Sequence, residues 1–234
     1  MANFRTHVTV SSLCGVGFAA LGAVTLDLPL ESCILAGGLC GLAGMLPDLD
    51  SNNSVPLREI LAFSAAIMPL LMAERFESLG LSHTGITLAG ACVYLLVRFG
   101  VGSLLKKCTV HRGMFHSLPA ALIAGLAAFL ICDGIDPHLR VFKAGAVFVG
   151  FVSHLILDEF YSVERGEGKL RLKKSFGTAL KLTAGNHGGT SAAYGMLLLL
   201  IVLAVGDTLV FHSAMISELP PMPVVVDDGA TIRR

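Results

Sequence analysis

"VFKAGAVFVGFVSHLILDEF", residues 141–160, decides what kind of chain this is. Its apolar part, 141–157, approaches the length of a membrane-crossing helix, yet it ends on His154 and Asp158, four residues apart. That spacing puts both side chains on one helix face, one turn apart. Ionisable groups in such a helix are costly and mark function. An imidazole and a carboxylate so placed can serve one cation; the alternative is a hydrogen bond between helices.

The surrounding composition supports a bilayer setting. The chain has 234 residues, 54% hydrophobic and 15% charged, with a mean hydropathy of +0.75. A soluble domain carries about 25% charge. Apolar blocks fall at 8–26, 33–46, 59–73, 86–105, 117–132, 141–157 and 190–211. Several reach the roughly 20 residues that cross hydrocarbon as a helix. Blocks 33–46 and 59–73 are short and fit a tilted, re-entrant or buried helix equally. The expectation is an all-α, polytopic transmembrane bundle of about 5–7 segments. Residues 1–212 form one membrane-embedded domain with an interfacial basic segment at 164–183, and 213–234 form a flexible tail. The first block has a single flanking base, Arg5, and does not read as a cleavable leader. The cysteines, at 14, 33, 40, 92, 108 and 132, form no CxxC pair and read as packing residues. A net charge of zero offers no electrostatic basis for nucleic-acid binding.

Basic residues set the orientation. With a cytoplasmic N-terminus, the cytoplasmic segments hold Arg5, Arg58, Lys106, Lys107, Arg112, Arg165, Lys169, Arg171, Lys173, Lys174 and Lys181. The other side holds Arg75, Arg140, Lys143, Arg233 and Arg234, and Arg98 falls within a block. The same topology puts His7, "LPDLD" (46–50), "HRGMFHS" (111–117) and the end of "SHLILDEF" (153–160) on one face. Unrelated polar decorations would be divided between the faces, so this coincidence points to one site.

Each element has a bland alternative. Asp48 and Asp50 suit oxygen ligation of a divalent cation, but also suit a turn. His111 and His116, five residues apart, lie about 140° apart on a regular helix. A loop through Gly113, with Ser117 as N-cap and Pro119 in the first turn of the next helix, lets them converge. Arg112 either faces an oxyanion or phosphate, or is positive-inside decoration. His7 joins by position alone. His187 reads as a loop residue. "KLRLKKSFGTALKL" (169–182) reads as an interfacial segment on anionic headgroups or as a solvated loop.

Taken in order, these elements resemble the YdjM-like (LexA-regulated) membrane-bound metal-dependent hydrolase family over roughly residues 5 to 182. Its pattern is an N-terminal His, LPD-x-D, HRG-x-x-HS and H-x-x-x-D, here His7, Asp48 with Asp50, His111 with Arg112 and His116, and His154 with Asp158. Phe115 departs from the Thr common before the second His, which bears on a supporting hydrogen bond. The resemblance implies a His/Asp set similar to that of zinc-dependent phospholipase C and related phosphoesterases. The expected ligands of one or two divalent ions are His7, Asp48, His111, His116, His154 and Asp158. Zn suits this mixed set best, with Mn or Fe as alternatives. Asp50 is the expected general base and Arg112 the stabiliser of developing negative charge. The expected protein is an inner-membrane, phospholipase-like hydrolase with its site on the cytoplasmic side and a lipid or amphiphilic substrate. A divalent-metal-binding protein or transporter, and a structural protein using the cluster only for hydrogen bonds, are the rivals.

Overall fold

The computed structural model describes residues 3–50, 54–101, 114–132, 136–166, 169–172, 177, 180–183 and 187–218. The elements in order are α1 (Phe4–Thr25), α2 (Leu30–Ala43), a 3-10 turn (Leu46–Asp50), α3 (Ser54–Leu71), α4 (Ala73–Ser78) and α5 (His83–Leu95). A π-helical turn (Leu96–Val101) extends α5 and is followed by α6 (Leu118–Ile131) and α7 (Pro137–Phe160). An antiparallel ribbon of β1 (Val163–Gly166) and β2 (Lys169–Leu172) leads to α8 (His187–Glu218). The architecture is an all-α bundle, with this ribbon lying in the basic segment. The alternation of basic and apolar residues there is taken up by an extended backbone. α8 continues to Glu218, into the stretch expected as tail, and residues 219–234 lie outside the described part.

Short polar side chains start several of the helices. Asn3 Oδ1 accepts from Thr6 N at 2.8 Å, Ser82 Oγ from Gly85 N at 3.2 Å, and Asp136 Oδ1 from His138 N at 2.8 Å. Each satisfies a backbone donor that the first helical turn leaves open. Pro119 and Pro137 occupy first-turn positions, where a missing N–H costs nothing.

Among the described residues five helical stretches are long and apolar enough to cross a membrane: Phe4–Thr25, Leu30–Asp48, His83–Val101, Pro137–Phe160 and His187–Asp207. The second includes the block expected to be short, because the 3-10 turn prolongs α2. By contrast, α6 has only 14 residues, about 21 Å of helix against a hydrocarbon core of about 30 Å. It begins inside the bundle, where His116 and Ser117 are buried. α5 and α8 expose apolar side chains such as Leu88, Leu95, Leu198 and Val202. A helix apolar all round yet little covered by protein is solvated by lipid.

The core consists of α1, α2 and α7 packed together, with α6 against α7 and α8 against α6. Hydrocarbon solvates apolar side chains as well as a protein interior does, so close backbone approach has to hold such helices together. Glycine allows it here. A Cβ on Gly15 would lie 2.3 Å from the Gly37 carbonyl oxygen, and one on Gly150 would lie 2.0 Å from that of Cys40. Cys33, Cys40 and Cys132 are buried in this core, in the packing role expected; Cys92 is exposed and Cys108 lies outside the described residues.

The opposite end of α7 holds a charged cluster. Arg140, 2% exposed, donates from Nε to Cys132 O at 3.0 Å and from Nη2 to Phe129 O at 3.1 Å. Its guanidinium lies over the Phe129 ring and pairs with Asp207 of α8, whose carboxylate also takes Arg75 of α4 at 3.1 Å. This cluster ties four helices together at that end.

Candidate metal centre

Four helix ends meet at the other end of the core: the start of α1, the end of α2 with its 3-10 turn, the start of α6 and the end of α7. They bring in His7, Asp48, His116, and His154 with Asp158. Their N and O atoms form two overlapping groups able to hold a metal ion, His7–His154–Asp158 and Asp48–His116–His154.

The distances suit a bound cation. His7 Nε2 lies 3.3 Å from Asp158 Oδ1, His154 Nε2 3.7 Å from Asp48 Oδ1 and 3.8 Å from Asp158 Oδ2, and His116 Nε2 4.0 Å from Asp158 Oδ2. N–H···O hydrogen bonds run at about 2.7–3.2 Å. Donors on a tetrahedral cation at about 2.0–2.2 Å stand roughly 3.3–3.6 Å from one another. The observed separations sit at and just above that edge length. Three imidazoles and two carboxylates are also the donor set of a borderline divalent cation.

Burial sharpens the point. His7, His116, His154 and Asp158 are 3, 5, 1 and 7% exposed. Among the described residues His7 Nδ1 and His154 Nε2 have no hydrogen-bond partner. A buried nitrogen without a partner costs about 1–3 kcal/mol, which a bound cation offsets at Nε2. His154 is preset for this role. Its Nδ1 lies 2.7 Å from the Gly44 carbonyl oxygen, which can only accept. Nδ1 therefore holds the hydrogen and Nε2 keeps its lone pair, with the carbonyl fixing the ring's tautomer and orientation as at a metal-binding histidine.

Ser117 caps α6 as expected, accepting from Ala120 N at 3.3 Å, and so fixes where His116 enters. His111, Arg112 and Gly113 lie outside the described residues, as does the side chain of Asp50. The expected loop position of His187 is corrected: it is the first residue of α8. Sequence reasoning missed Gly44 and Ser11. Gly44 acts through its backbone carbonyl, which leaves no side-chain signature. Small residues at helical spacing (Ser11, Gly15, Gly22) were the available signal.

The family model described as YdjM inner membrane protein matches residues 1–168, the stretch from before His7 to beyond Asp158. The chain belongs to the YdjM inner membrane protein family. Comparison with curated proteins and with solved structures gives no match. With several helices long and apolar enough to cross a membrane, this family member is a multi-pass membrane protein associated with the lipid bilayer. The matched stretch ends before most of the basic segment and α8, so the four helix ends that form the centre all belong to the family region.

Proposed function

We propose that this YdjM family member is a membrane-bound, metal-dependent hydrolase acting on a phosphoester or ester of a lipid or other amphiphile. The observation that carries this reading is the convergence of His7, Asp48, His116, His154 and Asp158 at donor spacing, buried at one end of a membrane bundle. The site faces the cytoplasm in this proposal, on the strength of the basic residues flanking the same helix ends. A divalent cation, Zn before Mn or Fe, supplies a Lewis acid that lowers the pKa of water and polarises an ester oxygen.

The chain's own groups do the rest. When divalent cations bind, His116, His154, Asp48, Asp158 and His7 would hold them, with His111 proposed as a further ligand. Asp50 is the proposed acceptor of the attacking water's proton, and Arg112 the proposed stabiliser of the charge that develops on the ester oxygen. Asp48, its side chain 21% exposed, marks the approach from outside, while the histidines lie deeper. Between this centre and the Arg140 cluster the described core is apolar, with Cys33, Ala36, Ala43, Ala146, Val147 and Phe151 among its buried members. No polar path joins the two ends among the described residues, which favours a hydrolase over an ion conduit.

The test is a phospholipid and ester panel presented in liposomes to the metal-loaded protein and to His154→Ala and His154→Gln. Hydrolysis of one substrate class by the wild type, reduced at least a hundredfold in both variants, supports the reading. Equal activity of all three proteins, or none in the wild type across the panel, overturns it.

A further inference from the structure

The three histidines do not surround one point. His116 and His154 meet edge to face, with ring centroids 5.6 Å apart and planes at 64°. His7 and His154 are stacked, with centroids 3.8 Å apart and planes at 15°. An imidazole bound through Nε2 at about 2.0–2.1 Å puts its ring centre roughly 3.2 Å from the ion. Two rings on one tetrahedral ion then have centres about 5 Å apart, and still about 4.5 Å at a right angle. The His116–His154 pair meets this condition. The His7–His154 pair is too close to share an ion.

Asp158 resolves the conflict. Its Oδ1 lies 3.3 Å from His7 Nε2, and its Oδ2 lies 3.8 Å from His154 Nε2 and 4.0 Å from His116 Nε2. The stacked rings thus direct their Nε2 atoms to the two different oxygens of one carboxylate. His154 cannot serve both positions: Nδ1 is committed to Gly44 O, and the single Nε2 lone pair serves one ion.

We infer that the centre takes two cations bridged by Asp158. One position has Asp48, His116, His154 and Asp158 Oδ2 as donors. The other has His7 and Asp158 Oδ1. The first is filled by protein, as in a structural site, whereas the second draws only two donors from the described residues and stays open to other ligands. This rests on the metal-binding reading above and adds the ion count, the bridging residue and the division of labour among the histidines.

The test uses the full chain in detergent, loaded with Mn(II), desalted, and measured for metal per chain and by electron paramagnetic resonance. The expected wild type holds two ions per chain with the spectrum of an exchange-coupled pair. His7→Ala and His7→Gln, checked for monodispersity, then hold one ion with an isolated-ion spectrum, and Asp158→Asn loses the coupling. One ion per chain in the wild type, or two without coupling, overturns the bridged pair and leaves the metal reading standing. No bound ion in the wild type overturns both.

Discussion

Gly44 abuts Ser11 so closely that a methyl added at Gly44 would put its carbon 2.2 Å from Ser11 Cβ. Ser11 lies one turn along α1 from His7 and donates from Oγ to Gly41 O at 3.0 Å, while Gly44 O receives His154. This contact therefore sets the height of α1 on α2, and with it the stacking of His7 on His154. Gly44→Ala is expected to push the helices apart, cost about 1–3 kcal/mol of stability and weaken metal retention about tenfold or more. Gly38→Ala, with nothing within 4 Å of its added carbon, is the control expected to behave as wild type. Thermal unfolding in detergent and metal content after dialysis check both.

The charged cluster at the other end is expected to act on stability alone. Arg140 is buried, and Asp207 lies between it and Arg75. Asp207→Ala leaves a buried guanidinium without its counter-charge, a loss of about 3–5 kcal/mol. Arg140 lies fourteen residues before His154 on α7, about 21 Å along the helix. The folded fraction of Asp207→Ala should therefore bind metal at wild-type stoichiometry. Altered stoichiometry in folded protein would show that the two ends are coupled.

Gly177 makes a contact next to the site end of α7. Its N–H donates to Glu159 Oε1 at 2.5 Å, and its φ of +78° is one that L-residues avoid. Gly177→Ala meets no neighbouring atom, so its expected cost of about 1–2 kcal/mol comes from backbone strain. The expected readout is a lower melting temperature in detergent with metal content per chain unchanged.

Metal removal should itself be destabilising. Imidazole and carboxylate ligands bind only when deprotonated, so chelator or mild acid is expected to strip the centre. The apo protein then keeps its helices but unfolds at lower temperature, and added Zn(II) restores the transition. A stripped protein with an unchanged melting temperature would mean that the buried donors gain nothing from the cation.

Much was legible because the membrane forces a simple code. Long apolar runs must be helices, since hydrocarbon satisfies no backbone group, and so α1, α7 and α8 follow directly from their blocks. Alternation of the runs put His7, Asp48, His116, His154 and Asp158 at one end without any distance being known, and the i, i+4 spacing aligned His154 with Asp158. What linear order could not supply was which helices touch. Gly15 against Gly37, Gly44 against Ser11 and Gly150 against Cys40 are choices among many small residues, made by backbone shape once the helices pack. The pairing of Arg140 with Asp207 was hidden for the same reason: 67 residues separate them, and Asp207, inside the apolar block 190–211, carries no sign of its partner in linear order. The sequence by itself determined the apolar runs that become helices and the common end on which the candidate donors fall. Only the tertiary structure decided the stacking of His7 on His154 and the spread of Asp158 between them, because ring orientation depends on how closely α1 and α7 approach through glycine.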